Sequence, residues 1–328
     1  MFAIVAPAHP NLDKHIEVLY SRRLHKMKFK LRRYYLYYLA RVSAFKIYLL
    51  PRAVSMVLAG LAGAVAFLLG SKYRNIALDN LRSVFGSTKS DRQIQEIARA
   101  VFVNLAKNAV ELVTLPKVSA SNIDSLVSIE GRDILDRELA KGRGVIVVTG
   151  HFGNWELMPV TLRIKGYAGS VIGRRIYFDR YDRYLNSLRK AHGVEIIYRD
   201  DSPRKILKVL KSNGVLGIVA DQDVDSVDGV FVEFFGRRAY TPLGPVSLAK
   251  VTGAPIVPAF MIREGRRHRL VFEKPIELVD TGNKDADNVE NTKRWSDVVE
   301  AYIRKYPEQW VWMHRRWKTE NLKLKVKN

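Results

Sequence analysis

The chain has 328 residues, enough for one large domain with appendages, and its 55 Lys and Arg outnumber 33 Asp and Glu for a formal net charge of +22. It has no cysteine, which excludes a disulfide framework, a thiolate metal site and a cysteine nucleophile. The charge implies an anionic partner (nucleic acid, anionic lipid or acidic protein), and it is concentrated at the ends: residues 1–52 hold eleven Lys and Arg against two acids, and residues 314–328 six against one.

Residues 1–52 read as a basic extension in which Lys and Arg alternate with Tyr34, Tyr35, Tyr37 and Tyr38. That mixture suits nucleic acid or a membrane interface. The next segment favours the membrane: residues 53–70 carry no charge and approach the minimum for crossing a hydrocarbon core of roughly 30 Å. It starts too late and has the wrong flanks for a cleaved signal peptide. The basic excess upstream leaves the N-terminus cytoplasmic, so a single span puts the rest of the chain outside. A re-entrant or interfacial helix keeps both ends on the cytoplasmic face, and a buried core helix is the remaining alternative.

Two helices follow, one carrying Ile76, Leu81, Val84 and Phe85 on a stripe, the other opening at Ser90-Asp91 and running through Ile94, Ile97, Val101, Leu105 and Val110. Ile129 to Gly131 ends a strand, and Asp133–Lys141 is a short helix. Val145 to Thr149 is a buried strand between Gly144 and Gly150; His151 comes directly after it, Asn154 suits an N-cap, and residues 155–164 are apolar at helical spacing. Strand patterns at 170–173, 194–197, 214–220, 254–260 and 270–273 then alternate with helical patterns at 181–192, 203–211, 243–252 and 287–305, while 234–236 reads as a loop. No internal repeat is present. The alternation predicts an α/β domain over 71–318 with a mixed central sheet flanked by helices, followed by a basic tail, 319–328.

His151 and Glu156 lie where a strand ends and a helix begins, the edge of an open α/β sheet at which ligands collect. Residues five apart on one helix do not face each other. Glu156 therefore reaches the imidazole only if His151 is on the loop and Glu156 in the first turn, where it can fix the tautomer and leave the other ring nitrogen to take a proton from a hydroxyl. A capping histidine beside an exposed glutamate is the structural alternative. Asp221-Gln222-Asp223 closes the 214–220 strand; Asp221 either orients an arginine or the acceptor, or caps the next loop. No histidine stands at metal-ligand spacing from acids, so no metal is expected. Trp310, Trp312 and Trp317 read as packing, with Arg315 and Arg316 as phosphate-binding candidates.

The block Thr149 to Glu156 (Thr-Gly-His-Phe-Gly-Asn-Trp-Glu) resembles the His-x4-Asp/Glu motif of glycerolipid-type acyltransferases, in the variant of the late acyltransferases of lipid A biosynthesis. The resemblance continues through Gly173-Arg174, Asp221-Gln222-Asp223, Phe234 to Gly236, Gly253 to Pro258, Tyr306 to Trp310 and His314 to Lys318, covering roughly residues 50–318. It implies a glycerolipid-acyltransferase-like fold with an N-terminal membrane-associated helix, at the cytoplasmic face of a bacterial inner membrane. The implied reaction carries a fatty acyl chain from acyl-carrier-protein, or acyl-CoA, to a hydroxyl of a lipid A precursor, without cofactor or metal. The implied roles are His151 as general base, Glu156 as its orienting carboxylate, Arg189 and then Arg174 as oxyanion donors, and Asp221 and Asn154 at the substrate. Arg175 and Arg180 read as headgroup or surface arginines. The expected partners are the acyl donor, an anionic lipid acceptor and the membrane surface, and not nucleic acid. Related enzymes acylate mannosylated phospholipids, which keeps a second acceptor open. A non-catalytic basic module binding membrane or nucleic acid accounts for the charge but not for the ordered blocks. With no cysteine and no Gly-x-Ser-x-Gly elbow, direct transfer without an acyl-enzyme is the simplest path.

Overall fold

The computed structural model describes residues 31–319. The first thirty residues of the expected basic extension, and the expected basic tail beyond Thr319, lie outside the described residues. The chain divides into two compact units, Met1–Leu49 and Leu50–Asn328. Within the first, residues 31–49 are helical (α1) and expose Tyr35, Tyr38 and Leu39.

The second unit opens with α2 (Arg52–Leu69), α3 (Ser71–Phe85) and α4 (Asp91–Thr114). The Ser90 hydroxyl caps α4 and the Gln93 side chain answers it, a reciprocal capping box. On α2 the small residues Ser55, Ala59 and Gly63 recur every fourth position, form its buried stripe and let it lie directly on α4. A Cβ at Gly63 would stand 2.6 Å from the Val103 Cα, so the two backbones touch there. The other side of α2 exposes Leu58, Leu61, Val65 and Leu68.

After α5 (Ile123–Leu126) the chain alternates β1 (Val127–Glu130), α6 (Arg132–Leu139), β2 (Val145–Thr149), α7 (Leu157–Ile164), β3 (Gly169–Gly173), α8 (Asp179–Lys190), β4 (Glu195–Tyr198), α9 (Pro203–Lys211) and β5 (Val215–Val219). A hairpin follows, β6 (Gly229–Phe234) and β7 (Arg237–Pro242), then α10 (Gly244–Thr252), β8 (Ile256–Glu264), β9 (Arg267–Phe272) and α11 (Lys284–Lys305). The central sheet has the order β1-β9-β8-β2-β5-β3-β4, parallel throughout except for the antiparallel β8–β9 pair. It is the mixed sheet that the alternation predicts.

All five residues of β2 are buried, because both sheet faces are covered and an unbroken β-branched run suits both. Ile146 and Val148 point to one core with Leu216, Ile218, Phe260, Trp295 and Val299; Val145 and Val147 point to the other with Leu157, Met158 and Leu162 of α7. The hairpin is the element the residue pattern hides. Its two-residue turn, Phe235-Gly236, has φ of +55° and +71°, the left-handed pair that matches strand twist. A phenylalanine is no signal for that conformation; here the Glu300 carboxylate accepts its N–H at 2.5 Å and holds it.

Candidate active site

β2 and β5 are parallel neighbours with Thr149 opposite Val219, so His151 and Asp221, each two residues further on, emerge side by side. The Asp221 Oδ1 lies 2.7 Å from His151 Nδ1, and Oδ2 accepts the His151 backbone N–H at 2.7 Å and the Trp310 indole N–H at 2.6 Å. Burial alone would push the Asp221 carboxyl up, but the neighbouring His151 and His314 and these hydrogen bonds outweigh it and hold it well below the usual carboxylate range. An ionised carboxylate only accepts, so in the neutral imidazole the proton faces it on Nδ1 and Nε2 carries the lone pair.

The Gln222 amide nitrogen lies 3.2 Å from His151 Nε2 and 3.0 Å from His314 Nε2, bridging two imidazoles whose centroids are 5.3 Å apart. Burial lowers His314 to about 4, with the nearby Asp221 opposing and His151 and Arg316 adding, so this second ring is neutral near pH 7. One nitrogen of each ring and an Asp221 oxygen lie within 4.8 Å of one another, a donor set of a kind that holds divalent metal. Both Asp221 oxygens are engaged by His151 and Trp310, and the Gln222 amide nitrogen lies 3.2 Å from each His151 ring nitrogen and 3.0 Å from His314 Nε2.

The turn bearing His151 is stitched to its surroundings. Gly153 N–H donates to Gln309 O, Asn154 N–H to Met261 O, and Val311 N–H to His151 O. Gly153 has φ +55°, and a Cβ there would stand 1.7 Å from the Met261 carbonyl oxygen; only glycine fits.

Glu156 does not orient His151. Its carboxylate forms a bidentate pair with Arg189, Nε to Oε2 at 2.8 Å and Nη2 to Oε1 at 2.6 Å. The reason is where the helix starts: Asn154 Oδ1 accepts the Leu157 N–H, α7 begins at Leu157, and Glu156 stands before it facing α8. Burial would lower Arg189, but the Glu156 carboxylate overrides this and raises it. Arg189 Nη1 also donates to Asn186, so the expected oxyanion donor is committed to holding α8 on the turn before α7. Asn154 departs from expectation too. It is buried and its amide donates to Glu111 at 2.7 Å. Arg174 is exposed directly after β3. Arg316 is no phosphate ligand: it is buried, donates to Tyr240 O and Thr241 Oγ1, and burial pushes it down to about 10.

Glu111 is a buried hub. Arg263 Nη2 reaches it at 2.5 Å, Arg52 Nη2 at 2.8 Å, and His268 Nε2 lies 3.4 Å away. Burial raises its carboxyl, but His268 and Arg263 together hold it well below the ordinary value. The sequence gives Glu111, Gln222 and His314 no role and Trp310 only one in packing, although Gln222, Trp310 and His314 all lie within the blocks that carry the resemblance.

Beside the network an apolar pocket lies between the sheet and α7. Val147 and Gly217 form part of its floor, Met158 and Leu162 part of its roof, and Thr149 and Trp155 mark the end nearest His151. The Thr149 hydroxyl there is buried and has no hydrogen-bond partner among the described residues.

The sequence profile of the bacterial lipid A biosynthesis acyltransferases matches residues 24–319. The chain is 26% identical over 243 residues to the phosphatidylinositol mannoside acyltransferase of Mycolicibacterium smegmatis, covering 73% of this chain and 77% of that one. It is 24% identical to the lipid A biosynthesis myristoyltransferase of Escherichia coli K12, covering 82% of each, and 26% identical to the palmitoleoyltransferase of the same organism, covering 82% and 87%. An acyltransferase that works on a lipid acceptor thus accounts for the hydrogen-bonded histidine beside an apolar pocket, and the chain belongs to the bacterial lipid A biosynthesis acyltransferase family.

Proposed function

We propose that the protein moves a fatty acyl chain from an acyl-carrier-protein thioester to a hydroxyl of a lipid A precursor, with His151 as general base and Asp221 as the carboxylate that orients it. The observation that carries this is the 2.7 Å His151–Asp221 pair, with the His151 ring 5.3 Å from that of Trp155, a residue lining the apolar pocket. The acceptor hydroxyl takes the place of Gln222 at Nε2 and gives its proton to the ring. Its oxygen attacks the thioester carbonyl, a tetrahedral oxyanion forms, the C–S bond breaks, and the imidazolium returns the proton to the leaving thiolate. A base so placed contributes about 10²–10⁴-fold. We assign the oxyanion to the Gln222 amide, 3.2 Å from His151 Nε2, and the unpartnered Thr149 hydroxyl. The acyl chain itself enters the pocket beneath α7.

α2 lies flat in the membrane interface in this reading. It has 18 residues with a mean hydropathy of 2.0, but its Ser55–Ala59–Gly63 stripe is held along α4. Spanning would carry α4, with Arg99 and Lys107, into hydrocarbon, at several kcal/mol per charge. Only the Leu58, Leu61, Val65, Leu68 side is free to enter lipid. Both ends of α2 then stay on the cytoplasmic face, and the +22 charge attracts anionic headgroups and an acidic carrier protein. The similarity to a phosphatidylinositol mannoside acyltransferase supports a mannosylated phospholipid as the second acceptor to try.

The test is acyl transfer from radiolabelled acyl-carrier-protein, with acyl-CoA in parallel, to a tetra-acylated lipid A precursor and to a mannosylated phospholipid. His151→Ala abolishes transfer to whichever acceptor is used. Full activity in folded His151→Ala overturns the base assignment, and inertness towards both lipids overturns the acceptor.

A further inference from the structure

We propose that Gly217, at the midpoint of β5, sets the length of the acyl chain that the enzyme accepts. β5 is paired on both sides, with Gly217 opposite Val147 of β2 and Val171 of β3. A glycine inside a fully paired strand weakens it and leaves nothing to pack, so its presence needs a reason. Two ordinary reasons are absent. Gly217 does not have a positive φ. Nor is backbone pressed against it: an added Cβ would meet the Val171 side chain first, at 3.1 Å, with the nearest backbone atom, Ser170 O, at 3.9 Å. Gly169 on the next strand shows the contrast, since a Cβ there would lie 2.2 Å from the Val215 carbonyl oxygen.

The Val171 side chain leaves little room for a Cβ, and beyond it the strand faces open space. Val215, Gly217 and Val219 line the same side of the strand, and all three face the pocket under α7. Leu216 and Ile218 are buried on the opposite side, whereas Gly217 keeps access to the open space. From Val219, level with Thr149 near His151, to Val215 is four residue steps, about 13 Å along the strand. Gly217 lies halfway. An acyl chain whose carboxyl end sits beside His151 passes over it, and the missing side chain keeps the far half of the pocket connected to the mouth. A side chain at 217 divides the pocket, so short chains still fit and long ones do not. The inference rests on the pocket receiving the donor's acyl chain.

The full-length protein is assayed with thioester donors from eight to sixteen carbons, comparing wild type, Gly217→Ala and Gly217→Leu, with thermal unfolding as the check on folding. In Gly217→Leu, kcat/KM for the longest donors falls by about fiftyfold relative to the shortest, the equivalent of three methylenes denied burial. Gly217→Ala shifts the profile the same way by a few-fold, and serves as the readout if Gly217→Leu does not fold. A profile that keeps its shape in folded variants overturns the proposal. Met158→Trp, which fills the roof of the pocket, separates the two possible failures. If Met158→Trp moves the profile and the Gly217 variants do not, only the role of Gly217 falls. If none of the three moves it, the acyl chain binds elsewhere and the pocket assignment falls as well.

Discussion

Replacing Asp221 by asparagine tests the catalytic arrangement most directly. Three donors converge on this carboxylate: the His151 Nδ1–H on Oδ1, and the His151 backbone N–H and the Trp310 indole N–H on Oδ2. A carboxylate accepts all three; an asparagine has one oxygen and one NH₂. If the NH₂ faces Oδ2's former partners, two buried donors lose their acceptor at about 1–3 kcal/mol each. The variant therefore keeps its oxygen there and turns the NH₂ towards His151 Nδ1. That nitrogen must then accept, the ring proton moves to Nε2, and the base has no lone pair for the acceptor hydroxyl. Wrong-tautomer histidines lose up to about 10⁴-fold in kcat. The expected result for Asp221→Asn is a kcat lower by about 10²–10⁴-fold, with KM for both substrates nearly unchanged, in the radiolabelled transfer assay. Circular dichroism verifies the fold. An undiminished kcat in a folded variant would refute the pairing, and would return the orienting role to Glu156.

Glu156 and Arg189 form a largely buried bidentate pair, so Glu156→Gln and Arg189→Gln each leave a group uncompensated, while the double variant costs no more than the worse single one; thermal unfolding of the four proteins measures this, and additive losses would show that the two act separately. Glu111→Ala strands the buried Arg263 and removes the Asn154 anchor, and is expected to lower stability by about 3–5 kcal/mol in a denaturant titration; a loss under about 1 kcal/mol contradicts the hub. His314 falls from 6.5 to about 4 on folding. Between these values the unfolded chain binds the proton and the folded one does not, so stability rises with pH across that window and is lost as pH drops through it, by at most about 3–4 kcal/mol. Asp221, held low in the folded protein, keeps its contribution above about pH 4 and loses it only in stronger acid. Denaturant midpoints from pH 7 to 4 are expected to fall less steeply in His314→Gln than in wild type, and parallel curves exclude this source.

Local pattern was enough for most of the elements, the β6–β7 hairpin excepted. Val145–Thr149 and Pro203–Lys211 run over the predicted residues, and the alternation of strand and helix made an α/β domain with a mixed sheet the expected answer. His151 on its loop after β2 was legible because a buried β-branched run ending in glycine and histidine leaves the histidine at the strand's carboxyl end. These features depend on the next few residues along the chain, where periodicity and capping act. The partner of His151 was not legible. Glu156 is five residues away and Asp221 seventy, so proximity in sequence pointed to the glutamate. Tertiary structure reversed this in two steps: the Asn154 cap delayed α7 until Leu157 and left Glu156 to the buried Arg189, while the order of strands put β5 beside β2 in register. Strand order is set by how whole apolar faces pack beneath α7 and α11, and no short window of sequence contains that information. The same holds for Trp310, which reaches Asp221 from the far end of the chain, and for the Phe235-Gly236 turn, whose left-handed phenylalanine is held by a glutamate of α11.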